Sequence, residues 1–273
     1  MTDLQFEKFK NLIYGEFGNT VSNDKRLTLE YKIEKIIKRY HGGQLTIDQF
    51  LKKLVDDGKE SDTWQHFVDE ITVHKTNFYR EKDHFDFVTK NIESLMDDMP
   101  NIRQKREIRV WCAAASTGEE PYTIAMMLKE IMPPGYSIKL LATDISEKVL
   151  GKAITGWYPK DIASDIPKTL LEKYFDIDNG GYQVKDSLKE IITFRRFNLC
   201  DRFPFKNKFD IVFCRNVMIY FDDDLRIKII KKIYDVMNPG GLFIFGLSES
   251  IGNKNMDLVS IGSSMYRKKK LGE

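Results

Sequence analysis

Apolar residues recur at helical spacing through the first 73 positions, and the strict alternation of a half-buried strand is missing there. Leu4, Phe6, Phe9, Leu12, Ile13 and Phe17 make one stripe. Leu29, Ile33, Ile36, Ile37 and Tyr40 make a second, ended by His41-Gly42-Gly43. A third helix starts after Thr46 as N-cap and turns Phe50, Leu51 and Leu54 inward, and a fourth runs from Ser61 to about Val73. From residue 108 the pattern changes to short apolar strands alternating with helices, which predicts a parallel, doubly wound α/β sheet. The strands fall at 108–113, 138–143, 192–198, 209–214 and 242–247, and a last one at 264–268 closes the sheet. Between them, Ile124, Met127, Leu128 and Ile131 mark one helix face and Leu225, Ile229, Ile230, Ile233 and Met237 another. Asn238-Pro239-Gly240-Gly241 reads as the stop that ends this last helix and turns the chain into the next strand.

Residues 151–190 are longer than a crossover needs. Asp178-Asn179-Gly180-Gly181 ahead of Tyr182-Gln183-Val184 is a hairpin signal, so a small β-insertion at the carboxyl edge of the sheet is expected. The pattern divides the chain into a helical domain at 1–73, a linker with a leading helix at 74–107, and an α/β domain at 108–273.

Composition narrows the function classes. Hydrophobic residues are 42% and charged residues 31% of 273, which is a folded chain, and the net charge of +2 lacks the global positive field of a dedicated nucleic-acid binder. Cys112, Cys200 and Cys214 are far apart and odd in number, and His41, His66, His74 and His84 show no ligand spacing, so neither disulfides nor a metal are expected. No apolar run approaches a membrane span, and residues 1–17 lack the pattern of a signal peptide; a cytoplasmic protein is expected. Lys32, Lys35, Lys38 and Arg39 fall opposite the second stripe, either as a solvated face or as a docking surface for an acidic partner.

Candidate chemistry lies at the strand ends. After the first strand come small residues, Ala113-Ala114-Ala115-Ser116-Thr117-Gly118, running into a helix expected near Pro121; in an open α/β sheet this is where a ligand crevice forms. The G-x-G-x-x-G and P-loop patterns are both missing. Glu119 and Glu120 either complement the helix dipole or face the cationic end of a ligand. Asp144 ends the second strand, where a carboxylate accepts ribose hydroxyls or caps the following helix. Arg215 and Asn216 follow the fourth strand, facing the crevice or capping a loop anchored by Ile219 or Phe221.

Taken together, the stretches TNFYRE (76–81), AAASTGEEPY (113–122), ATDI (142–145) and FCRNVMIYFD (213–222) resemble the CheR family of chemotaxis receptor methyltransferases, in the right order along nearly the whole chain. The resemblance implies a Rossmann-like, doubly wound S-adenosylmethionine-dependent methyltransferase sheet with a small antiparallel β-subdomain, preceded by a small all-α domain. It implies methylation of glutamate side chains on the cytoplasmic helices of chemotaxis receptors, leaving S-adenosylhomocysteine. By the same resemblance Glu120, Asp144, Asn198, Leu199, Arg215 and Asn216 contact S-adenosylmethionine, and Thr76 and Arg80 supply contacts from the linker. The family usually has Asn where this chain has His74, whose imidazole replaces one of the amide's hydrogen bonds but not its donor and acceptor pair. Arg80 is the expected guide for the acceptor carboxylate and Tyr220 the expected wall of the methyl-transfer pocket. Lys32, Lys35, Lys38 and Arg39 then gain a partner in the acidic receptor helices. Peptide-gripping members carry a longer glycine-containing loop where this chain has only residues 178–181, so recognition without a receptor pentapeptide is expected, by a monomer. The +2 charge and Cys214-Arg215-Asn216-Val217 in place of an N-P-P-Y-type motif argue against a nucleic-acid acceptor.

Overall fold

The computed structural model describes residues 1–249, 257–270 and 272. Four helices, α1 (Asp3–Phe17), α2 (Arg26–Tyr40), α3 (Ile47–Asp57) and α4 (Asp62–Ile71), form the N-terminal unit. Thr2 and Thr46 each close a capping box with the glutamine three residues on, and Ser61 caps α4, so three of the four helix starts are set by local side-chain chemistry. Phe9, Phe50 and Phe67 meet at ring-centroid distances of 6.0–6.5 Å in its core, beside the buried Ile13, Ile33, Ile36 and Leu54. Leu4 does not join them. It is 67% exposed, because two residues before Phe6 lies about 200° round the helix.

Two helices, α5 (Asp83–Asp98) and α6 (Pro100–Lys105), stand where one leading helix is predicted, split at Met99-Pro100. The remainder alternates: β1 (Glu107–Ala113), α7 (Glu119–Ile131), β2 (Ser137–Asp144), α8 (Glu147–Thr155), β3 (Trp157–Pro159), α9 (Lys168–Tyr174), β4 (Phe175–Asp178), β5 (Gly181–Val184), α10 (Asp186–Lys189), β6 (Ile192–Arg196), β7 (Phe209–Cys214), α11 (Asp223–Asp235), β8 (Met237–Ile244), β9 (Leu258–Gly262) and β10 (Met265–Lys268). Among the described residues, seven strands form one sheet in the order β6-β2-β1-β7-β8-β10-β9, parallel from β6 to β8, with β10 antiparallel to both neighbours. The chain runs outward from β1 through β2 to β6, then returns to place β7 on the other side of β1. The order therefore reverses between β1 and β7, and the crevice at their carboxyl ends is where an open α/β sheet takes its ligand.

The structure corrects the sequence reading at several places. Residues 238–241 do not end a helix. They lie inside β8, where Met237 pairs with Phe209 and Leu242 with Ile211, so the intervening residues bulge from the ladder. Gly240 is required there, at φ 78° with the Asp98 carbonyl 2.0 Å from where a Cβ would stand. The strand at 265–268 does not close the sheet, because β9, not foreseen, takes the edge. Strand β6 stops at Arg196 and leaves Asn198 in a loop, and α7 begins at Glu119. In the insertion, β3, β5 and β4 form the expected antiparallel sheet, with Asn179 and Gly180 both at positive φ in a two-residue turn. Its first residues, 151–155, are instead the end of α8.

Candidate functional site

A cavity of about 880 Å³, its open mouth included, lies over the β1/β7 switch point. His74, Thr76, Arg80, Glu120, Asp144, Asn198, Leu199, Arg215, Asn216 and Tyr220 all line it. Sequence reasoning did not foresee that the N-terminal unit supplies part of the wall through Phe17 and Asn19.

The linker enters the site with alternating duties. Phe78 is fully buried, edge-on to Tyr158 and Phe175, while Thr76 and Arg80, two residues to either side, line the cavity. Tyr79 and Glu81 both sit in the left-handed region, φ 53° and 55°, a conformation that persists in non-glycine residues only where surrounding contacts impose it. Those contacts are present. The Tyr79 amide donates to Thr123 Oγ1, and the Glu81 carboxylate accepts from Arg215 Nη2, Asn216 Nδ2 and the Leu247 amide, each at 3.0 Å. Arg80 Nη1 donates to the Lys75 carbonyl at 2.8 Å, holding the root of the guanidinium at the cavity wall.

The turn after β1 is compact for a reason that lies in the insertion. Gly118, at φ 100°, caps α7, and a Cβ there would meet the Tyr158 hydroxyl at 2.7 Å and Ala153 at 2.8 Å. Tyr158 also donates to the Thr117 carbonyl at 2.8 Å, so the β-subdomain braces this turn directly. Asp144, almost fully buried, accepts from the Ser116 amide at 2.8 Å and the Ser146 amide at 3.0 Å. Burial pushes its carboxyl pKa up against those two bonds. Ser146, not Asp144, caps α8.

Arg215 is the electrostatic centre of the site. Its side chain is wholly buried, with Nη1 on Glu120 at 2.8 Å, Nη2 on Glu81 at 3.0 Å and on the Arg80 carbonyl, and its plane over Phe85. Its Nε, also buried, has no hydrogen-bond partner among the described residues. Burial raises the Glu120 pKa and Arg215 opposes the rise. Glu249, unremarked in the sequence, accepts from the amides of Gly246, Asn216 and Ile219 and so fixes the loop that carries Tyr220. The Tyr220 carbonyl in turn takes the Thr20 amide of the N-terminal unit at 3.0 Å. Asn198 donates Nδ2 to the Glu16 carbonyl at 2.7 Å, which ties the end of α1 to the same rim. His74 Nε2 lies 2.7 Å from Thr72 Oγ1, and burial pushes its pKa down, which favours the neutral ring.

The basic residues of α2 are not all solvated. Lys32 stands three residues after Leu29 and four before Ile36, so it flanks the buried stripe; its Nζ donates to the Ile71 carbonyl at 3.2 Å. Lys35 pairs with Glu70 at 2.8 Å. Lys38 and Arg39 are exposed.

A doubly wound sheet with an antiparallel β10 between β8 and β9, a small-residue turn after β1 and a buried acid ending β2 is the expected frame of an S-adenosylmethionine-dependent methyltransferase, and the residues fit that cofactor. Ala114 and Ser116 line the cavity with the Asp144 carboxylate, and the buried Arg215 Nε, on the wall of the same cavity, has no hydrogen-bond partner among the described residues. The chain belongs to the CheR methyltransferase family. The family model of its SAM binding domain matches residues 74–267 and that of its all-alpha domain residues 4–72. Among curated relatives, the chain is 37% identical to a chemotaxis protein methyltransferase of Borreliella burgdorferi, over 95% of this chain and 93% of that protein. It is 31% identical to the chemotaxis protein methyltransferase of Escherichia coli, over 97% and 91%. No helix among the described residues is long and apolar enough to cross a membrane.

Proposed function

We propose that this chain methylates glutamate side chains on the cytoplasmic helices of chemoreceptors, giving γ-glutamyl methyl esters and S-adenosylhomocysteine. The observation that carries the reading is the cavity itself, in which the linker, the ends of β1, β2 and β7 and the N-terminal unit converge around Arg80. His74, Thr76, Glu120, Asp144, Asn198, Leu199, Arg215 and Asn216 hold the cofactor in this reading. When bound, the cofactor supplies a methyl group activated by a sulfonium.

The chain's own task is positioning. A glutamate acceptor with pKa near ~4.3 is already ionised at neutral pH, so no general base is needed. Arg80 orients the incoming carboxylate with its planar fork, without taking a proton, and Tyr220 walls the pocket. The Tyr220 hydroxyl stays protonated, since burial raises its pKa and the Arg80 charge only partly opposes this. Phe17 and Asn19 bring the N-terminal unit to the cavity wall that Arg80 also lines. Transfer of labelled methyl groups from S-adenosylmethionine to chemoreceptor-containing membranes tests the reading; no label from a folded, cofactor-bound protein would contradict it.

Docking is assigned to the exposed end of α2. Lys38 and Arg39 are exposed, Arg39 lying over the Tyr40 ring, and present their charges toward an acidic helix, whereas Lys32 and Lys35 are committed to α4. Reversing Lys38 and Arg39 to glutamate is expected to lower the receptor kcat/KM about tenfold at low salt, the difference shrinking as salt rises, with cofactor affinity unchanged. Equal rates across that salt range would remove the docking role. The two-residue turn between β4 and β5 supports receptor recognition without a pentapeptide tether; a cytoplasmic monomer belongs to the same proposed reading. Calorimetric titration with receptor C-terminal pentapeptide is expected to show no heat, and micromolar binding would overturn this part.

A further inference from the structure

The charges that line the cavity are arranged against the cofactor they are to hold. Three cations, Lys75, Arg80 and Arg215, face two carboxylates, Glu120 and Asp144. A surplus of positive charge repels a sulfonium, which is cationic, and does not repel the neutral thioether left after transfer. Uncorrected, such a cavity would favour the spent cofactor over the loaded one.

The correction lies one layer behind the wall. Glu81 does not line the cavity, yet its two oxygens take both the Arg215 guanidinium and the Asn216 amide, at 3.0 Å each. Burial pushes its carboxyl pKa up, but the bonds from Asn216 and Arg215 outweigh this and hold it below the ordinary range, so it stays ionised. Glu249 adds a second carboxylate on the backbone side of the same loop. We propose that Glu81 is a specificity-determining residue that, together with Glu120, neutralises Arg215 and thereby shifts the ratio of affinities for the cationic methyl donor and the neutral product toward the donor. Its left-handed backbone, φ 55°, fits a residue whose side chain must turn away from the cavity that Arg80 faces.

The inference rests on the cavity being the cofactor site, and the test separates the two. Ligand-free protein is titrated calorimetrically with S-adenosylmethionine and with S-adenosylhomocysteine. If the wild type binds neither, the cofactor reading fails and takes this one with it. If it binds both, Glu81→Gln is expected to weaken the sulfonium ligand about tenfold more than the thioether, the size of one uncompensated charge acting across a partly buried site. Equal weakening of both ligands, or of neither, would reduce Glu81 to a packing role. The double variant Glu81→Gln/Arg215→Gln removes anion and cation together, and both variants are titrated at a temperature at which circular dichroism shows them folded. Its ratio of affinities is expected within about threefold of the wild type. A double variant shifted as far as the single one is expected to be would overturn the proposal.

Discussion

Alanine at position 80 is expected to lower kcat for receptor methylation by about 100-fold while the protein stays folded. Arg80 is half-buried, and among the described residues its side chain gives one hydrogen bond, to the Lys75 carbonyl. Losing that bond costs no more than about 1 kcal/mol of stability, so thermal unfolding should move little. What is lost is the planar donor fork at the cavity wall, which in the proposed reading holds a carboxylate in line for attack without protonating it. Lysine at the same position keeps the charge but not the fork, and is expected to recover only a fraction of the rate. Steady-state kinetics on receptor membranes checks both variants. An Arg80→Ala enzyme within about threefold of wild type would place acceptor orientation elsewhere.

The second large effect concerns folding. Arg215→Ala is expected to destabilise the protein by about 3–5 kcal/mol, because it strands two carboxylates that the guanidinium holds inside the fold. The sign with pH is fixed by those carboxylates. Without Arg215 both Glu81 and Glu120 titrate higher folded than unfolded, so the folded variant takes up protons first as pH falls. The deficit against wild type should therefore be greatest at neutral pH and shrink toward pH 4–5, the ordinary range of a glutamate at about 4.3. Urea unfolding of both proteins at pH 7 and pH 5 measures it. A deficit under about 1 kcal/mol at pH 7 would mean that the buried network relaxes freely.

Both predictions draw on residues that the sequence exposed, and much of the frame was legible for a simple reason. The strands β1, β2 and β7 are short apolar runs bounded by small or polar residues, and their carboxyl ends carry Ala114–Gly118, Asp144, Arg215 and Asn216 in the places an α/β crevice requires. What stayed hidden is set by contacts distant in sequence. Pro239-Gly240-Gly241 looks like a stop, but packing of Gly240 on the Asp98 carbonyl keeps the segment in β8 as a bulge. The wall given by Phe17 and Asn19 depends on docking of the N-terminal unit. Gly18 permits it, at φ 70° and too close to Leu225 and Cys200 for any side chain. Glu81 and Glu249 are charges in loops, and charges in loops usually face water; only the fold shows them turned inward on Arg215 and on three backbone amides. Lys32 erred the other way, since one position of helical phase separates a flank of the stripe from its opposite face.

The central claim, that Arg80 and its cavity deliver a methyl group to a receptor carboxylate, is met most directly by the chemistry of the product. Receptor membranes labelled from methyl-labelled S-adenosylmethionine would be treated with mild alkali and the volatile methanol counted, followed by mapping of the labelled peptides. The account predicts that nearly all the label leaves as methanol, that it maps to glutamates of the cytoplasmic helices, and that it is absent with Arg80→Ala. Alkali-stable label, or label on nitrogen or sulfur, would contradict it.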